Sequence, residues 1–199
     1  MAPVFGLIKD LEVGKSKFTL QLRLVRSYEV PQFHNINEIG TLECVFHDKE
    51  GSRIHATIQN LQIENFKNLL HEGNVYAVMK YIVGNNNMRT KTTTNRLKIL
   101  IYKDTRIAEL VDDGFPTHVL NLKSFEEIES MKTTPDFQDA PLFDVMGIII
   151  SCYKPVEKVI NGKPTKLMDI MIEDLEYINY YYFLVALYFL SLLTSIFFI

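Results

Sequence analysis

The chain has 199 residues, 47% of them hydrophobic and 23% charged, which excludes disordered and fibrous classes and leaves room for one ordinary domain plus part of another. Its two cysteines, Cys44 and Cys152, stand far apart with no second Cys or His at metal-ligand spacing, so neither a disulfide framework nor a zinc site is expected. The net charge of −3 is unevenly placed: residues 1–103 hold 14 Lys+Arg against 9 Asp+Glu, and residues 104–199 hold 7 against 15.

The opening stretch MAPVFGLIKDLEVGKSKF lacks the basic start and continuous apolar core of a secretory signal, which assigns the first half to the cytosol or nucleus. From there Phe18, Leu20, Leu22 and Leu24 alternate with Lys17, Thr19, Gln21 and Arg23, the period of a half-buried strand. Leu24 and Val25 are both apolar and Arg26 and Tyr28 follow on the other parity, which predicts a bulge. VPQFHNINEIG is a polar loop in which Pro31 ends the strand. LECVFHDKEGSRIHATI then reads as a hairpin with DKEG as its turn. Leu42, Cys44 and Phe46 share one face of its first strand and Ile54, Ala56 and Ile58 one face of its second, which sends Arg53 and His55 to the solvent side.

NLQIENFKNLLHEG changes to a helical period, with Asn60 placed to cap the start and Gly73 to suit the end. NVYAVMKYIV is the next strand, with Val75, Ala77, Met79, Tyr81 and Val83 on one parity. NRLKILIY follows, with Leu97, Ile99 and Ile101 inward, and GNNNMRTKTTT joins the two. Between Gly73 and Lys103 no carboxylate occurs while six cations do, an excess suited to a polyanionic partner. The order strand, long loop, strand, strand, helix, strand, long loop, strand predicts a mainly β fold. It is that of a five-stranded OB-fold barrel with a short helix between strands 3 and 4, whose exposed strand face and two long loops bind oligonucleotides.

This first domain covers residues 1–111, and residues 112–138 read as a linker, of which Phe115 to Phe125 either packs on the barrel or extends its edge. LFDVMGIIISCYKP and TKLMDIMIEDLE, joined around Asn161-Gly162, read as the first two strands of an incomplete second OB-fold over residues 139–176. Tyr177 to Ile199 has 23 residues and no charge. A hydrophobic helix long enough to cross a bilayer is expected there, either as a membrane anchor or as the product of a shortened reading frame. No phosphate-binding Gly-rich loop, G-x-S-x-G, H-E-x-x-H or carboxylate–His cluster occurs, so neither an enzyme nor a cofactor is expected.

RLVRSYEVP, LECVFHDKEGSRIHATI and RLKILIY resemble the plant proteins similar to the large DNA-binding subunit of replication protein A, over about residues 4–107 and again from about 139. In that family the first stretch reads x-V-R-V-x-R-x-W-E-x-P; Tyr28 stands here where the family has tryptophan. The resemblance implies non-catalytic single-stranded DNA binding in DNA replication, repair and recombination, in the nucleus. Other replication protein A subunits are the implied protein partners, although larger members carry a zinc ribbon in a C-terminal OB domain that this sequence does not reach.

On that reading a basic groove tracks phosphates while aromatic rings accept bases face-on. Arg23, Arg26, Arg53, His55, Lys80, Arg96 and Lys98 supply the charge from outward strand positions, and Arg89 and Lys91 from the loop. Tyr28 and Phe33, with Tyr102, are the stacking rings. For His55 the alternative is a pair across the hairpin with Glu43 or His47. For the chain as a whole, the alternatives are an OB-fold whose basic face docks an acidic peptide and an adaptor tethered to a membrane through residues 177–199.

Overall fold

The computed structural model describes residues 4–32, 34–35, 38–88, 91–117, 119–132, 142–160, 163–173 and 181–186. It divides into two compact units, Met1–Val119 with Asp139–Leu142 and Leu120–Gln138 with Phe143–Ile199. In the first unit the elements are β1 (Gly14–Lys15), β2 (Leu20–Pro31), β3 (Ile39–His47), β4 (Arg53–Gln59), α1 (Asn60–Phe66), β5 (Val75–Met79), β6 (Ile82–Asn85), β7 (Leu97–Ile101) and β8 (Arg106–Leu110). One sheet joins its strands in the order β1-β6-β7-β4-β3-β2-β5-β8. Within that path β6 and β5 are the two halves of one run of chain, so the strands between them curl round into the expected five-stranded OB barrel. β4 and β7 pair in parallel where the barrel closes.

The alternation of β2 places Leu20, Leu22 and Leu24 in the core, and its register shifts between Leu24 and Arg26, the bulge that the doubled Leu24-Val25 predicts. Phe46, Ile54, Ile58, Ile99 and Ile101 complete the interior. Asp48 fixes the β3–β4 turn: its carboxylate accepts from the backbone N–H groups of Glu50 and Ser52, each at 3.0 Å, and of Ile8 at 2.9 Å. Gly51 supplies the positive φ of 84° in this turn.

The run expected as one strand over 74–83 is broken at Lys80, whose φ is 54°. One residue in left-handed backbone switches the parity, so Tyr76 and Val78 face the core before it and Tyr81 and Val83 after it. Lys80 therefore sits at a bend rather than on a strand face. Asn60 is the first residue of α1 rather than its cap; Gln59 holds that place, without a side-chain cap bond. The helix buries Ile63 and Phe66 and leaves Leu61 89% exposed. Gly73 ends the following turn at φ 88°, its N–H donating to the Leu24 carbonyl at 2.8 Å. Strands β1 and β8, which extend the sheet at either end, have no counterpart in the expected order.

The second unit holds α2 (Phe125–Lys132), β9 (Ile148–Cys152), β10 (Val156–Ile160), β11 (Lys163–Glu173) and β12 (Tyr181–Ala186). α2 lies in the stretch read as linker and opens with a capping box. The Ser124 hydroxyl accepts from the Glu127 N–H at 3.2 Å, and the Glu127 carboxylate accepts from the Ser124 N–H at 2.9 Å. Phe125 and Ile128 are buried against Phe143, Val145 and Ile172. β11 pairs with β10 along its first half and with β9 along its second, and with β12 on its other edge. β9 and β11 fall in the two stretches expected as strands, while β10 lies in the connection between them, where no strand is expected.

β12 corrects the expected hydrophobic helix: Tyr181–Ala186 is a strand, in antiparallel register with Leu167–Ile172. Aromatic and β-branched residues such as Tyr181, Tyr182, Phe183 and Val185 favour strand wherever an edge is available to pair with. Residues 177–180 and 187–199 lie outside the described residues. Among the described residues no helix is long and apolar enough to cross a membrane.

Candidate nucleic-acid interface

With the apolar parity of β2, β3, β4 and β7 turned inward, the other parity forms an outer face of three cross-strand rows. Arg23, His47 and Arg53 make the first; Arg26, Val45, His55 and Lys98 the second; Tyr28, Glu43, Thr57 and Leu100 the third. The hairpin part of this face is covered. Glu43, Val45, His47, His55 and Thr57 are all buried, and residues from two segments lie against this face: Thr92 from the loop between β6 and β7, and Phe115, Pro116 and Val119 from the chain after β8.

The loop is held by a buried network. One oxygen of Glu43 accepts from His55 Nε2 at 2.6 Å and from the Thr57 hydroxyl at 2.7 Å. With that ring nitrogen donating, His55 Nδ1 accepts from the Thr92 hydroxyl at 2.8 Å. His55 thus bridges the sheet to the loop, and its side chain is 0% exposed. Its expected place on the solvent face is corrected: the strand parity is as read, but Thr92 bonds one ring nitrogen and Glu43 takes the proton-bearing other. Burial pushes the Glu43 carboxyl up, yet the bonds from His55 and Thr57 outweigh it and hold the pKa below the usual value. Burial, with Glu43 adding to it, lifts the Tyr28 phenol to about 12.

At the other end, Arg23 donates from Nε to the Pro116 carbonyl at 2.7 Å and from Nη2 to the Phe115 carbonyl at 2.8 Å, and also bonds the Gly73 carbonyl. The Arg53 guanidinium donates to the Val119 carbonyl. Phe115 is 4% exposed; its ring stacks on His47 at 5.6 Å and lies under the Arg23 guanidinium at 5.5 Å. Arg23 and Arg53 are therefore on the expected face but are engaged by the chain itself.

Of the other expected residues, Arg26 is partly exposed and pairs with Glu72 at 3.1 Å. Lys98 is partly exposed, 3.5 Å from the Thr57 hydroxyl. Lys91, at the middle of the loop, and Arg96, next to β7, are exposed. Lys80 is exposed at its bend, two residues before Ile82, which pairs with Leu100 of the third row. Phe33 and Arg89 lie outside the described residues. Among the described residues no cluster of His, Cys, Asp and Glu is placed to hold a metal ion. Sequence reasoning missed Thr92, His47 and the role of Phe115; the lone aromatic in DDGFPT, between a turn glycine and a proline, was the available signal.

His47 donates from Nδ1 to its neighbour's carbonyl, Asp48 O, at 2.8 Å. Burial lowers its pKa, and the Arg23 and Arg53 charges add to the effect. The unfolded chain takes up the proton near the usual value of about 6.5, whereas the folded chain resists it. Stability from this group is full above that pH and is lost as the pH falls below it. The melting temperature should therefore drop between about pH 7.5 and 5.5, and His47→Gln should flatten that part of a melting profile.

Residues 9–131 match the family described as Domain of unknown function DUF223. Replication factor A protein 1 of Schizosaccharomyces pombe is 25% identical over 163 residues, covering 81% of this chain and 26% of that protein. Among solved structures, a replication protein A heterotrimer bound to ssDNA superimposes with a TM-score of 0.65 at 18% identity, covering 96% of this chain and 43% of the matched one. The chain thus spans about a quarter of the length of its curated relative.

Proposed function

The chain belongs to the DUF223 family, and on that premise we propose that it binds single-stranded DNA without catalysing a reaction on it. It acts as a nuclear component of DNA replication, repair and recombination beside other replication protein A subunits. The relative named Replication factor A protein 1 and the OB-fold likeness to a heterotrimer bound to ssDNA support this reading. The observation that carries it is the placement of the cationic, carboxylate-free stretch 73–103: His55 and Thr92 dock the β6–β7 loop against the outer face, with Lys91 just before Thr92 and Arg96 and Lys98 after it.

These cations and Arg26 track phosphates, and Tyr28 offers a flat ring that stays a neutral phenol; Phe33 and Arg89 complete the set. Such a surface is tolerant of sequence, because every base has a stackable face and every nucleotide a phosphate. A labelled single strand titrated with the full chain should give saturable anisotropy that an unlabelled single strand reverses and a duplex of the same sequence does not. Equal displacement by duplex would replace this reading with general polyanion binding.

A further inference from the structure

We propose that the cleft formed by Arg23, His47 and Arg53 is a nucleotide subsite of the single-strand path, filled in this structure by the chain's own Phe115 and vacated when a strand binds. The inference rests on the single-stranded DNA reading and deepens it. The cleft is the first row of the same outer face, one row from His55 and Lys98 and continuous with them across β2, β3 and β4.

Its occupant has the chemistry of a nucleotide: an aromatic ring against an imidazole and a guanidinium, with oxygens accepting from two arginines. A base stacks as a phenyl ring does, and a phosphate oxygen is a stronger acceptor for a guanidinium than a carbonyl is. The strand therefore offers a counterpart to each contact that the segment makes with Arg23, His47 and Arg53.

Phe115 also leaves something unsatisfied. His47 Nε2 is buried and has no hydrogen-bond partner among the described residues. Because Nδ1 donates to Asp48 O, Nε2 carries a lone pair, and a phenyl ring has no proton to offer it. That lone pair lies in the ring plane, so a base stacked in place of Phe115 does not reach it; an adjacent nucleotide that brings an exocyclic amine or a ring N–H to the ring's edge does. An unsatisfied buried acceptor is costly, and the strand removes that cost while the segment does not.

The segment can leave without unpicking the sheet. Residues 111–117 follow the last paired residue of β8 and form no strand or helix, and Val111, where they begin, is 94% exposed. Besides the cleft contacts, Gln21 holds Asp112 at 2.7 Å and Val119 lies beside Gly51.

The chain has no tryptophan, so Phe115→Trp creates a single reporter in the cleft. Titrated with labelled oligothymidylate, the full-length variant should show emission shifting to the red and several-fold stronger iodide quenching, along the same isotherm as the anisotropy. Saturating anisotropy with unchanged, iodide-protected emission would make the segment a fixed wall and overturn the proposal. An absence of any anisotropy change would instead overturn the single-stranded DNA reading on which it rests. Phe115→Ala gives a second test with a sign that structural damage does not mimic: affinity should rise several-fold as the internal competitor is lost, and an unchanged or weaker affinity contradicts the proposal.

Discussion

Glu43→Ala should lower the stability of the first barrel by about 3 kcal/mol, seen as a fall in melting temperature of roughly 10 °C. The carboxylate is 5% exposed and one of its oxygens serves both His55 and Thr57. Its removal leaves two buried donors without their acceptor, at about 1–3 kcal/mol each. Because His55 also holds Thr92, the β6–β7 loop loses its anchor to the sheet in the same step. Glu43→Gln keeps an acceptor and should cost less than half as much. A change below about 1 kcal/mol for the alanine variant would mean that the network does not hold the face together.

The second large effect is on binding. Lys91→Glu with Arg96→Glu reverses two exposed charges of the β6–β7 loop. An ion pair at about 4 Å in water-like dielectric is worth about 1 kcal/mol. Reversing one cation exchanges attraction for repulsion, about 2 kcal/mol, or about 30-fold in affinity. The double variant should therefore lose at least about 30-fold for single-stranded DNA while melting within about 0.5 kcal/mol of the parent, as surface substitutions do. Anisotropy and thermal melts on the same preparations separate the two effects; unaltered affinity would take the loop out of the interface.

Features that depend on local pattern were legible in the sequence. The bulge after Leu24, the hairpin around Asp48–Ser52 and the left-handed Gly73 each follow from a parity slip or a turn residue that acts within a few positions. The switch at Lys80 was not, because a lysine in left-handed backbone has no compositional mark, and the apolar run on both sides of it fits either parity. α2 was hidden in an acidic stretch, although its Ser124–Glu127 capping box was readable.

For the candidate interface, strand parity placed Arg23, Arg53, His55 and Lys98 on the outer face, where the register puts them. Whether an outward residue meets solvent is decided by what the chain folds over it. Thr92 comes from 37 residues beyond His55 and the Phe115 carbonyl from 92 residues beyond Arg23, separations at which periodicity carries no information. The Glu43–His55 pair was one of the two alternatives that the hairpin register allowed.

The most direct measurement is a salt series on the full-length chain with a labelled single-stranded oligonucleotide. If about three phosphates are engaged, the logarithm of affinity should fall with a slope near −2 against the logarithm of salt, or about 20-fold from 50 to 200 mM. Saturable binding with that slope, insensitive to duplex competitor, is the predicted result. Binding that salt leaves unchanged, or none at all to the folded chain, would contradict an electrostatic single-strand groove on this barrel.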